Sequence, residues 1–313
     1  MLALVFDGQQ ARATERGEPV ARDGQVIART LLAGICNTDL EIVRGYMGFE
    51  GTLGHEFVAR VDEGALKGKR VVGEINFACE TCAMCARDLQ RHCPNRTVLG
   101  ILGQDGALAE RVALPLANLH EVPDALSDEQ AVFVEPLAAA FEIREQVAVA
   151  PGVGATVLGD GKLGLLIAQV LAMAGAKVLA VGHHESHLSL LRERGIDAVL
   201  EDDWDQRASE LVIEATGSAS GFAKAVGSTA PRGTLVLKST VAARKALDLA
   251  PLVINEITVV GSRCGPFAPA LGALVSGAIE VRPMIEATFA LAEGAAALTK
   301  ATERGALKVL VKP

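Results

Sequence analysis

The sequence predicts an α/β fold in which a β-rich domain is joined to a domain built on a doubly wound parallel sheet. Three observations carry this expectation. Residues 155–187 read as strand, glycine turn, helix and strand within about 30 residues, the context in which a G-x-G-x-x-G turn has meaning. Strand and helix patterns then alternate to about residue 261, as they do when helical crossovers join parallel strands. The first 120 residues instead show short apolar runs, polar turns, one cysteine-rich insertion and little helix.

The 313 residues suit two domains, and a hydrophobic fraction of 50% is enough to bury a large core. A net charge of −8 argues against nucleic acid or an anionic membrane as partner. The start, MLALVFDGQQ, lacks the basic region of a secretion signal, and apolar stretches break before membrane-spanning length. A cytoplasmic location with reduced thiols is therefore expected, where grouped cysteines bind metal more often than they form disulfides.

Taken in order, residues 3–6 and 26–32 read as strands. Residues 38–44 read as a short helix capped by Asn37 or Thr38. Strands follow at 57–62 and 70–75, then the cysteine loop. Ser127-Asp128-Glu129-Gln130 resembles a capping box. It opens a helix to about residue 134, with a second from Pro136 to about 149. Beyond the strand 155–158 comes Gly159-Asp160-Gly161-Lys162-Leu163-Gly164. A helix over 165–174 is apolar nearly all round, and the next strand is 177–181. Later strands are expected at 198–200, 211–214, 235–238, 257–260 and 307–311. In the turn, Gly159 permits the sharp bend, Gly161 lets backbone approach a pyrophosphate, and Gly164 lets helix and strand pack closely. The N–H groups at the start of the helix then face the phosphates.

Cys79-x2-Cys82-x2-Cys85-x7-Cys93 is the most specific metal signal. Four thiolates fill a tetrahedral Zn²⁺ and leave no place for water or substrate, so the site is read as structural. Of the two remaining cysteines, Cys36 lies in Gly34-Ile35-Cys36-Asn37-Thr38-Asp39 and is followed by Gly54-His55-Glu56. Each short motif is weak alone.

Together and in this order, G-I-C-x-T-D, G-H-E, the four-cysteine loop, V-E-P-L and G-x-G-x-x-G resemble the zinc-dependent medium-chain alcohol and polyol dehydrogenases. The resemblance covers nearly the whole chain. It implies a GroES-like catalytic domain at 1–136 and 266–313, with a structural-zinc lobe at about 76–97. It also implies a Rossmann NAD(P)-binding domain at 137–265 and two zinc ions per chain. Cys36 and His55 match the catalytic-zinc ligands. Either Glu56 or Glu135, the latter in Val134-Glu135-Pro136-Leu137, matches the third; exchange between them is favoured, with Glu56 ahead. Thr38 matches the hydroxyl that takes the substrate proton. Asp39 matches the carboxylate that orients the zinc-binding histidine. Glu41 stands where many relatives carry a relay histidine, which puts that relay in doubt. Tyr46 and Phe49 line the substrate pocket or pack the loop.

The candidate cofactor residues are Gly159, Asp160, Gly161, Lys162, Leu163, Gly164, Gly182, His183, His184, Thr216 and Cys264. Cys264, within 262–267, reads as packing more than chemistry. An NAD site usually places an acid at the end of the second strand. Here Gly182 occupies that place and His183, His184 and His187 follow, so NADP is favoured over NAD, with Glu185 as the counter-argument. The motifs look closer to polyol, sugar and threonine dehydrogenases than to ethanol dehydrogenases, so a secondary alcohol or polyol is the expected substrate. The alternatives are a zinc-ribbon interaction protein and a zinc-free quinone reductase relative. A homodimer or homotetramer is implied by the resemblance, with 257–260 as the sheet edge.

Overall fold

The computed structural model describes residues 1–218, 220–239 and 247–313. The chain divides into two compact units, Met1–Glu135 with Ala270–Pro313, and Pro136–Pro269. No described helix is long and apolar enough to cross a membrane.

The first unit is organised on a seven-stranded sheet. Its path runs Leu119–Glu121, Arg70–Gly73, Glu56–Val61, Gln25–Gly34, Lys308–Lys312 and Ile285–Ala290, and Arg111–Pro115 also pairs with Gln25–Gly34. The pairs are antiparallel except the last two strands of the path, which run parallel. Alternating buried residues on Gln25–Gly34 and the buried run Val309–Val311 of Lys308–Lys312 give this sheet its core. The register sets Gly34 between Glu56 on one neighbour and Leu310 on the other.

The second unit holds a six-stranded sheet in which every pair is parallel. Its order is Asp197–Leu200, Lys177–Gly182, Gly154–Leu158, Ser209–Glu214, Thr229–Leu237 and Thr258–Gly261. Numbered along this unit, that order is 3-2-1-4-5-6, the doubly wound arrangement whose switch point lies beside the first strand. Leu158, Val181, Trp204, Val212, Val226, Leu235 and Ile257 pack together in its core.

Three local expectations shift. The helix Asn37–Val43 is capped by Cys36, not by Asn37 or Thr38, because the Asp39 carboxylate turns back to accept the Cys36 N–H at 2.8 Å. Ser127 and Gln130 do form a capping box, but the helix they start, Asp128–Ala131, is a single turn. The next helix, Val134–Gln146, begins two residues before Pro136. Proline is tolerated there because first-turn N–H groups have no intrahelical acceptor.

The turn carrying Gly54 is set by a close backbone crossing. Gly54 has φ +96°, and a Cβ on it would lie 2.6 Å from Leu108 Cγ and 2.7 Å from Leu108 N. Cβ atoms on Gly100 and Gly106 would lie 2.5 Å and 2.4 Å from Gly54 O. Ala107 N–H donates to Gly54 O at 2.9 Å, and Leu108 N–H to Leu53 O at 2.9 Å. Three glycines thus let two segments cross at hydrogen-bonding range, which fixes the direction in which His55 leaves the turn. Gly54→Ala is expected to destabilise the protein by about 2 kcal/mol or more, from positive-φ strain plus overlap. Urea unfolding of the metal-free protein measures this, and an unchanged midpoint would contradict it.

Candidate functional site

Cys36, His55 and Glu56 converge. One ligand atom from each lies within 4.8 Å of the others, with His55 and Glu56 buried and Cys36 half-buried. Glu135, in the first turn of Val134–Gln146, is not in this group. The strand Gln25–Gly34 and the start of Asn37–Val43 deliver Cys36. The Gly54 turn and the strand Glu56–Val61 deliver the other two.

Asp39 ties these segments together. It is fully buried. Its Oδ2 accepts the Cys36 N–H at 2.8 Å, its Oδ1 accepts the Gly54 N–H at 3.2 Å, and His55 Nδ1 faces Oδ1 at 3.4 Å. That last contact is too long for a good hydrogen bond, and Nδ1 is otherwise without a partner. With Nδ1 toward the carboxylate, Nε2 is the nitrogen left for a metal. The Thr38 hydroxyl stands 3.7 Å from Cys36 Sγ. Glu41 pairs with Arg44 at 2.7 Å on the surface.

Burial by itself would hold the His55 imidazole neutral. The charges of Asp39 and Cys36 outweigh it, so the metal-free ring is held well above the ordinary 6.5. A buried group of sulfur, imidazole and carboxylate that draws a proton this strongly is a site suited to a cation, and the donor set fits Zn²⁺.

Lys308 was not singled out from the sequence. It is fully buried, its ammonium pairs with Glu56 Oε2, and it lies 5.4 Å from the Phe133 ring centroid. A Cβ on Gly34 would sit 2.6 Å from Glu56 Oε2 and 3.2 Å from Lys308 Cδ. The glycine of G-I-C therefore makes room for this ion pair. The available signal was one lysine inside an otherwise apolar strand.

The four-cysteine loop also fits a metal. Cys82 and Cys85 sulfurs are 3.5 Å apart, Cys82 and Cys93 3.7 Å, and Cys79 and Cys93 3.5 Å, with no disulfide among them. Tetrahedral Zn–S bonds of about 2.3 Å require sulfur edges of about 3.8 Å. The Thr81 N–H and hydroxyl, the Asn95 amide and Cys93 bring the Cys79 thiol down to about 5, while burial and its sulfur neighbours push Cys85 up to about 12. The cluster is thus poised to hold thiolates together with a shared positive charge.

In the second unit, Gly159 has φ +112°, and a Cβ on Gly164 would lie 1.9 Å from Gly159 O. Gly161 caps the helix Lys162–Met173, and a Cβ there would meet nothing within 4 Å, which leaves the helix N-terminus open to an approaching pyrophosphate. Lys162 and Leu163 form the first turn of that helix. Thr216 gives its hydroxyl to Glu214 at 2.6 Å. Cys264 is half-buried, with Arg263 Nη1 at 3.5 Å. Glu185 is committed to Arg192 by two bonds of 2.7 and 2.8 Å, and that partner lowers its carboxyl below the usual range. The expectation of NADP rested on Gly182 leaving the acidic place empty and on His183, His184 and His187 as donors to a 2′-phosphate. In the structure the side chain of Asp160 occupies it, and His184 and His187 turn toward Asp160.

Two family models match. Alcohol dehydrogenase GroES-like domain covers residues 22–124, and zinc-binding dehydrogenase covers residues 163–276. L-threonine 3-dehydrogenase of Streptomyces avermitilis is 30% identical, over 94% of this chain and 93% of that one. Sorbitol dehydrogenase of Halalkalibacterium halodurans is 27% identical, over 96% and 94%. A zinc-binding dehydrogenase of Sinorhizobium meliloti bound to NADP superposes with TM-score 0.91 at 26% identity, over 100% of this chain and 99% of that one. A protein described as a short chain alcohol dehydrogenase from Escherichia coli, complexed with NADH, gives 0.91 at 25% identity over the same shares.

Two outcomes are expected from this geometry. Zinc needs the neutral imidazole, and a raised His55 value means that form is lost while pH is still above 6.5. Zinc affinity at this site, measured by chelator competition, should therefore fall steeply as pH is lowered from about 8 to about 6. A flat profile would contradict the assignment. Lys308→Met leaves Glu56 charged, buried and uncompensated, and should cost about 3–5 kcal/mol in urea unfolding of the metal-free protein. A loss below about 1 kcal/mol would mean the pair is dispensable.

Proposed function

Because this chain belongs to the zinc-dependent medium-chain alcohol and polyol dehydrogenase family, we propose that Cys36, His55 and Glu56 hold a catalytic zinc at which a polyol or other secondary alcohol is oxidised. The family activity is hydride transfer between an alcohol and a nicotinamide coenzyme. The convergence of those three side chains within 4.8 Å is the observation that carries the residue assignment. Sorbitol and threonine, named in two relatives, each carry a secondary hydroxyl, which supports the substrate class. Cys79, Cys82, Cys85 and Cys93 hold a second, structural zinc in this reading.

When bound, zinc supplies Lewis-acid polarisation of the alcohol oxygen, and the nicotinamide supplies the hydride chemistry. The chain's residues do the rest. Asp39 fixes the Cys36 turn and faces the His55 ring, so two ligands are set before metal or substrate arrives. Lys308 holds Glu56 by one carboxylate oxygen and neutralises its charge. Glu56 thereby joins the ligand set with less net negative charge, and Glu135 is left as its alternate. Thr38, beside Cys36, takes the substrate hydroxyl proton. Glu41 points to Arg44, so proton transfer beyond Thr38 runs to coenzyme ribose and solvent without a side-chain terminus at 41. The open face over Gly161 receives the coenzyme pyrophosphate. A homo-oligomer built through Thr258–Gly261, the end strand of its sheet, completes the reading.

Zinc-loaded protein assayed by coenzyme absorbance against secondary alcohols, polyols, aldoses and threonine should turn over at least one of them. Cys36→Ser should reduce that turnover to background and lower bound zinc from two ions per chain to one. Retention of both zincs by the variant would refute the site, and one zinc with no coenzyme binding in the unaltered protein would refute the function.

A further inference from the structure

The end of the strand Lys177–Gly182 is where a dinucleotide fold normally presents the acid that reads the adenosine ribose. Gly182 has no side chain to do so. Yet the place is not empty: a Cβ built on Gly182 would lie 2.3 Å from both Cβ and Cγ of Asp160 and 2.5 Å from its Oδ2. Asp160 comes from the glycine turn after the neighbouring strand Gly154–Leu158. It crosses to the next strand's end, where its side chain is 7% exposed. Oδ2 accepts the N–H groups of His183 at 2.9 Å and His184 at 2.6 Å, and His184 Nδ1 lies 3.1 Å from it. His187 Nδ1 donates to the Asp160 carbonyl at 2.9 Å and lies 3.9 Å from Oδ2. The His184 and His187 rings are 4.7 Å apart. The His183 ring turns to Glu201 at 3.4 Å, and Lys224 pairs with the same carboxylate.

Resting on the reading of the chain as a nicotinamide-coenzyme dehydrogenase, we propose that Asp160 is its coenzyme-selecting residue. It substitutes from the glycine turn for the missing acid at 182 and selects NAD over NADP. Gly182 and Asp160 are one device, since any side chain at 182 would occupy the space the carboxylate needs. The carboxylate accepts a hydrogen bond from a ribose 2′-hydroxyl. A 2′-phosphate at the same place brings about −1.5 to −2 charges against it. His184 and His187, the expected phosphate donors, are turned onto Asp160 and hold it in place. His183 sits beside the carboxylate of Glu201.

The test is calorimetric binding of NAD⁺ and of NADP⁺ to the zinc-loaded protein and to Asp160→Asn, whose amide oxygen still accepts the two N–H groups. The unaltered protein should bind NAD⁺ about tenfold or more tightly than NADP⁺, as like-charge contact in a buried site predicts. Asp160→Asn should shrink that ratio about fivefold or more, chiefly by improving NADP⁺. A purely structural Asp160 would leave the ratio unmoved in a variant that folds, and that result overturns the proposal. If the variant does not fold, the unaltered protein still decides: equal affinity, or NADP⁺ the tighter, overturns the proposal and leaves the dehydrogenase reading intact. Absence of binding by either coenzyme removes both.

Discussion

The buried carboxylate of Asp39 is the constraint on which the candidate metal site depends. An ionised carboxylate in the interior is tolerable only when hydrogen-bonded or paired. Asp39 meets this with two backbone N–H groups from separate segments, at Cys36 and Gly54, and with Nδ1 at the edge of the His55 ring. Satisfying its own charge therefore joins the two ligand-bearing turns. The same negative charge holds the metal-free His55 toward protonation, which is the electrostatic imprint of a cation site. The glycine crossing at 54, 100 and 106 then leaves the turn little freedom to relax away from this arrangement.

A related solution recurs twice. Glu56 is buried against Lys308 over the bare backbone of Gly34. Asp160 is buried against the amides after Gly182, over the bare Cα of that residue. In each case a glycine gives up its side-chain volume to an acid from elsewhere in the chain. Neither glycine is among those with positive φ; both serve as space.

Hydrophobic alternation and turn chemistry made most elements legible. The strands around residues 26, 57, 155, 177, 211 and 308 lie within two or three residues of where the pattern puts them. The four-cysteine spacing and the glycine turn were legible because each motif is local. What was hidden is long-range. The Lys308–Glu56 pair spans 252 residues, and an isolated lysine in an apolar strand reads as a surface edge until its partner is known. Asp160 reaches 23 and 24 residues ahead, so the histidines after Gly182 looked free to meet a phosphate. The cap of the helix Asn37–Val43 fell to Cys36 because a side chain three residues on, not the capping residue's own, closes the turn.

The most direct measurement is an anomalous difference map recorded at the zinc absorption edge from crystals of the zinc-loaded protein. This account predicts two peaks per chain, one enclosed by the four sulfurs of Cys79, Cys82, Cys85 and Cys93, the other bonded to Cys36 Sγ, His55 Nε2 and a carboxylate oxygen. A peak in the four-cysteine lobe with none beside Cys36, or zinc bound to His55 through Nδ1 with Asp39 displaced, would contradict it.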